Sequence, residues 1–129
     1  LKKFVTLVLC LALSACAAGE TRPVNAKAVN ASSKPAEIAI REHSTLFDPN
    51  SAQFRKQKVY VTSEGDRVYC GELNSKNRMG GYVGFTPYYV RLNARGQLIS
   101  TEYANTINIG YSAASACKEA AEGQLNVNI

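Results

Sequence analysis

From Lys58 to Tyr103 the chain is cut by turn residues into short extended runs, and this limits its fold more than any other feature. In "KVYVTS", Val59 and Val61 alternate with Tyr60 and Thr62; "EGDR" supplies turn chemistry at Gly65 and Asp66; "VYCGEL" then resumes the alternation. A period of two on either side of a glycine-containing turn predicts a β-hairpin. "YVGFTPYYVRLN" (82–93) reads as a further strand, at an edge or interrupted near Pro87, which has no N–H to give a ladder. "ARGQ" (94–97) is a turn, and "LISTEY" (98–103) extends again.

Helical patterns flank this block. Ala36, Ala39, Ile40, His43, Leu46 and Phe47 share one face of a 3.6-residue period, with Pro35 in the first turn, Glu37 near the positive end of the dipole and Asp48-Pro49 as the stop. His43, the only histidine, is expected to pack at the edge of the core. In "SAASACKEAAEG" (112–123), Ser112 is placed to cap, Ala113, Ala116, Cys117 and Ala120 share a face, and Gly123 ends the helix. "QLNVNI" alternates and suggests a short last strand. The expected fold is therefore α+β: a small antiparallel meander with an N-terminal and a C-terminal helix, both on one face of the sheet.

The beginning of the chain, "LKKFVTLVLCLALSAC", has Lys2 and Lys3 ahead of an apolar run of about ten residues, suited to a secretory leader and too short to span a bilayer. Leu1 is what a non-ATG start codon gives when translated literally. Leu13-Ser14-Ala15-Cys16 resembles the bacterial lipobox. That resemblance implies that residues 1–15 are removed as a lipoprotein signal peptide, that Cys16 carries diacylglyceryl and acyl groups, and that the protein is held on a membrane without spanning it. Each acyl methylene contributes about 0.8 kcal/mol. Ala17 in place of an aspartate points, by the same resemblance, to the periplasmic face of the outer membrane. Residues 16–34, small and polar with no apolar period, read as a lipid-anchored flexible tether with a span of about 25 Å, which leaves 35–129 as a single periplasmic domain.

The chain has four cysteines. With Cys10 in the leader and Cys16 lipidated, Cys70 and Cys117 remain as an even pair in an oxidising compartment and are expected to be bonded. Zinc or redox pairs use close spacings such as C-x-x-C, which these two lack, so neither a metal nor a cofactor is expected. Thirteen basic residues against ten acidic after leader removal leave only +3, and the longest basic cluster is Arg55-Lys56-Gln57-Lys58. Nucleic acid is not an expected partner.

The stretch "NSKNRMGGYVGFTPYY" (74–89) concentrates amides, cations, glycines and aromatics. It lacks the lysine and following helix of a phosphate loop. Two compatible readings stand. In one, Asn74, Asn77 and Gly80-Gly81 hydrogen-bond their own backbone and Gly84 makes room for a neighbouring ring. In the other, Asn74, Lys76, Asn77, Arg78, Tyr82, Phe85, Tyr88 and Tyr89 form a surface that binds an envelope protein or a cell-wall glycan.

Asp48-Pro49-Asn50-Ser51-Ala52-Gln53-Phe54, followed by Cys70-Gly71-Glu72-x-Asn74-x-Lys76-Asn77-x-x-Gly80-Gly81-Tyr82-x-Gly84-Phe85, resembles a pattern, D-P-x-S-A-x-F and C-G-x-x-N-x-K-N-x-x-G-G-Y-x-G-F, of small exported proteins and lipoproteins of proteobacteria. The resemblance implies a compartment and a fold unit and no enzymatic activity. The expected function is a non-catalytic, membrane-anchored lipoprotein that binds or supports another envelope component. A lysozyme-inhibitor-like role is the alternative, by analogy of size and location. A hydrolase is the least supported, with Glu72 the carboxylate to test first.

Overall fold

The computed structural model describes residues 22–99 and 107–126; the expected leader, Cys16 and most of "LISTEY" lie outside them. The elements run β1 (Pro23–Val29), α1 (Lys34–His43), β2 (Asp48–Thr62), β3 (Arg67–Lys76), β4 (Thr86–Leu92), β5 (Ile107–Ile109), α2 (Tyr111–Ala121) and β6 (Gln124–Asn126). They build one antiparallel sheet in the order β5-β4-β3-β2-β1-β6. Its centre is the expected hairpin: β2 and β3 pair from Val61↔Arg67 outward, and β3 pairs β4 from Arg67↔Leu92 to Leu73↔Thr86. Pro87 sits beyond the last β4–β5 pair, Tyr88↔Ile109, so its missing N–H costs that ladder nothing.

Strand alternation sends neighbouring side chains to opposite faces, and both faces are covered. Ala36, Ala39 and Ile40 of α1 pack with Val59, Tyr69, Leu73, Tyr88, Val90 and Leu92. Ala113, Ala116 and Ala120 of α2 pack with Tyr60, Val68, Cys70, Tyr89, Val24 and Leu125. The two helices thus lie on opposite faces, not on one. The alanine face lets α2 approach closely enough for Cys117 to bond Cys70, with their Cα atoms 5.8 Å apart.

Three boundaries differ from expectation. Residues 23–29, assigned to the tether, form β1, held between β2 (Ala26↔Thr62 to Val29↔Val59) and β6 (Pro23↔Asn126 to Asn25↔Gln124). Only Val24 of this strand is buried, so its order comes from ladder bonds on two sides. Helix α1 ends at His43 because Ser44 is extended and its hydroxyl accepts from Leu46 N (3.4 Å), a local bond that competes with helix. His43 is consequently exposed rather than packed in the core. Asp48-Pro49 opens β2 where a helix stop was expected.

The first half of β2 is irregular, with register shifts between Asp48 and Gln53 and between Arg55 and Lys58, and Lys56 at φ +52°. Ser51 bridges the first shift: its hydroxyl donates to Asp48 O (2.7 Å) and accepts from Lys76 N (2.8 Å), filling the place of a ladder partner. β1 pairs only with Val59–Thr62, so among the described residues, positions 48–57 have no strand partner on their outer side. Bulges and the Arg55-Lys56-Gln57-Lys58 charges are what protect such an edge from pairing with another chain. At the other end of the sheet, α2 begins after Gly110 (φ +101°), which puts Ser112 inside the helix and not at its cap.

Candidate interaction face

The segment between β3 and β4 is tied to itself. Asn77 Oδ1 accepts from Met79 N (2.9 Å) and Gly81 N (3.2 Å), Asn77 O accepts from Gly80 N (3.0 Å), and Asn77 N donates to Gly81 O (2.9 Å). Asn74 Oδ1 accepts from Gly84 N (3.0 Å). The amides therefore do what the self-capping reading requires: they replace water for a loop that has no ladder partner. Gly84 does not make room for a ring. Nothing lies within 4 Å of where its Cβ would be, and its requirement is conformational, φ +105°. The close approach is at Gly71, where a Cβ would stand 2.8 Å from Tyr88 Cε1 and 3.1 Å from Arg55 O.

Around this loop, cations lie on aromatic faces. Arg55 is 3.7 Å from the Phe85 centroid, Lys76 5.6 Å from Tyr82, and Arg78 5.4 Å from Phe47; such stacks contribute about 0.5–1 kcal/mol each at exposed sites. The Tyr82 hydroxyl donates to Ser51 O (3.1 Å), fastening the loop to β2. What faces outward is apolar: Met79 is 94% exposed, Val83 64%, Phe47 59% and Tyr82 45%. Lys76 and Arg78 have no carboxylate partner among the described residues, whereas Arg55 Nε (2.6 Å) and Lys56 Nζ (3.6 Å) both reach Glu72. The Arg55 hydrogen bond holds the Glu72 carboxyl below its ordinary range, with the charges of Arg55 and Lys56 adding to the effect.

Of the eight residues expected on a binding surface, Lys76, Arg78, Tyr82 and the half-buried Phe85 lie around this tip, and Asn74 and Asn77 brace it from within. Tyr88 and Tyr89 do not belong to it. Both are fully buried, on opposite faces of the sheet. The Tyr88 hydroxyl accepts from Gln57 Nε2 (3.0 Å), and its ring meets Phe54 edge-on at 5.8 Å. Burial pushes both hydroxyls up to about 12. Among the described residues the Tyr89 hydroxyl has no partner in hydrogen-bonding geometry, although the Arg91 guanidinium is near enough to work against that rise. Phe47, Met79 and Val83 were missed: Phe47 fits the helical stripe, and the other two carry no chemistry that marks them in sequence.

Comparison with known proteins finds no matching family model, no matching curated protein and no matching solved structure.

A second charged cluster, Arg91 with Asp66 and Glu64 and Glu64 with Arg22, ties the β2–β3 turn to β4 and β1. It is buried at Arg91 and serves the fold. His43, 3.7 Å from Glu42, borders a cavity of about 300 Å³ with Ser44, Thr45, Asn108 and Ser112. Among the described residues no group of three or more His, Cys, Asp or Glu is placed to hold a metal, and no helix is long and apolar enough to cross a membrane.

Proposed function

We propose that the protein is a non-catalytic, lipid-anchored domain of the bacterial cell envelope that docks on another envelope component through the tip formed by the 77–85 loop and the start of β2. The observation that carries this reading is the coexistence of exposed Met79, Val83 and Phe47 with the carboxylate-free cations Lys76 and Arg78 on a loop whose own backbone is already satisfied. A rigid surface of this kind gains by contact and loses little conformational entropy on making it. The anchor at Cys16 and the outer-membrane location are parts of the same proposal, supported by the leader pattern, and membership of the proteobacterial family is supported by the 48–54 and 70–85 motifs. Glu72 fits a structural role better than a catalytic one, since an acid held charged by two cations is a poor proton donor near neutral pH.

The test is photo-cross-linking in cells with a light-activated residue in place of Met79. Adducts that appear in the wild-type background and vanish with Arg78→Ala/Tyr82→Ala support docking through the tip. An unchanged adduct pattern, or none, counts against it. The inhibitor reading is the alternative, by analogy of size and location and with the exposed loop as the part that would engage a hydrolase; undiminished lysozyme activity at large excess of this protein removes it.

A further inference from the structure

Strand β1, by starting at Pro23, shortens the expected tether. If Cys16 bears the lipid, as proposed above, only residues 17–22 separate it from β1, and six residues reach at most about 20 Å. A span of that length keeps the domain against the bilayer. The chain enters at the β2–β3 turn, where Ser63 N donates to Asn25 O (2.8 Å) and Arg22 pairs with Glu64. The exposed tip lies at the opposite end of β3, a ten-residue strand and hence about 30 Å away. A domain tied at one end of its sheet by a short linker and bearing a basic-apolar tip at the other can touch the same surface at both ends by lying along it.

We infer that the tip is a second membrane contact: Met79 and Val83 enter the headgroup region of an anionic bilayer, Arg78 and Lys76 engage its phosphates, and the domain lies flat on the membrane that anchors it. Three features favour lipid over a protein groove or a glycan. The loop's backbone N–H groups at Met79, Gly80, Gly81 and Gly84 are already hydrogen-bonded inside the protein, which lowers the cost of moving the loop into the headgroup region. One face of Tyr82 and of Phe47 is occupied by a cation, so neither offers a bare ring on both sides to a sugar. Charge is complementary: Arg55, Lys56, Lys76 and Arg78 outnumber Glu72 and Asp48 around the tip. Each cation near an anionic surface strengthens binding by about fivefold. Because the anchor holds the tip at high effective concentration, a weak contact of this size suffices.

The inference rests on the proposed docking role, and one experiment separates the two. The full chain, recovered from the membrane fraction with Met79→Cys carrying an environment-sensitive nitrobenzoxadiazole group, is reconstituted into phosphatidylcholine vesicles with and without phosphatidylglycerol; Arg95→Cys, on the 93–97 turn, is the control position. Expected are a blue shift and severalfold brightening at 79 that require phosphatidylglycerol, fall about fivefold or more in apparent affinity with Arg78→Glu and weaken with salt, whereas any response at 95, at the anchored end of the sheet, is unchanged by Arg78→Glu. A signal at 79 that is the same without anionic lipid, or unchanged by Arg78→Glu, overturns it. No signal in vesicles together with a tip-dependent protein cross-link in cells overturns the lipid contact and leaves the docking role standing. Neither signal nor cross-link overturns both. Met79 is at a fully solvated tip, so a labelled chain with unchanged circular dichroism has kept its fold.

Discussion

Helix α2 meets the sheet mainly through alanine methyls, and each of these buries little area, so the Cys70–Cys117 bond is expected to be its principal clamp. The bond closes a loop of sequence separation 47. In the chain-entropy treatment the loss on opening it is 2.1 + 1.5R ln n, or about 14 cal/mol/K and about 4 kcal/mol at 25 °C. A domain of about 100 residues unfolds with an entropy near 0.2 kcal/mol/K, so the expected fall in Tm is about 20 °C. The assay is thermal unfolding by circular dichroism of oxidised protein, of protein reduced with dithiothreitol, and of Cys70→Ala/Cys117→Ala. Hydrogen exchange adds the location: after reduction, amides of 111–121 and of β6 are to lose protection before those of β3 and β4, because α2 and Leu125 share one cluster with Cys70. If reduction moves Tm by less than about 3 °C, worth under 1 kcal/mol, the alanine face is holding the helix unaided and the clamp argument fails.

Gly71→Ala is expected to destabilise by about 1–3 kcal/mol, read by urea unfolding, because the new methyl meets the buried Tyr88 ring at 2.8 Å and the Arg55 carbonyl at 3.1 Å; a neutral result means the ring can move aside. Tyr88 and Tyr89 ionise near 12 in the folded protein, against an ordinary value of 10. Above pH 10 the unfolded chain releases these protons first, so their contribution is complete below pH 10 and is lost as pH rises towards 12, at up to about 1.4 kcal/mol per pH unit for each tyrosine. Replacing both by phenylalanine is expected to flatten that alkaline limb in urea titrations, and an equally steep limb in the double variant refutes the assignment.

The parts of the fold that were legible in sequence are those fixed by local chemistry. The β2–β3 hairpin follows from alternation around Gly65, the end of α2 from Gly123, and the disulfide from the even pair that remains once Cys10 and Cys16 are set aside as the expected leader and lipid-bearing cysteines. β1 was hidden because its only buried side chain is Val24 and its order depends on β2 and β6, which are distant in sequence. The first half of β2 was hidden by Asp48-Pro49, which forbids a helix to continue but says nothing about a strand beginning, and by Ser51, whose side chain stands in for a ladder bond that no period records. At the tip, amides and glycines announced a self-capped loop, whereas the exposure of Phe47, Met79 and Val83 depends on where α1 stops and how the loop is fastened to β2.

The misplaced tyrosines follow from a single physical choice, the number of sheet faces that are covered. With one face covered, adjacent Tyr88 and Tyr89 must put one ring into solvent, and a binding surface is the natural reading. With both covered, a strand shows no alternation but a continuous apolar run, and β4 is buried without a break from Tyr88 to Leu92. Arg91 disguised that run. Its guanidinium is buried only because Asp66, at the β2–β3 turn, accepts from its Nε (3.0 Å), with Glu64 close behind. The one charged residue in that run is thus the one that ties the far end of the hairpin to the sheet's centre. A buried arginine needs its carboxylate within reach, so a hairpin turn that places acids at 64 and 66 was the available sign that position 91, and with it the whole second face, lies inside.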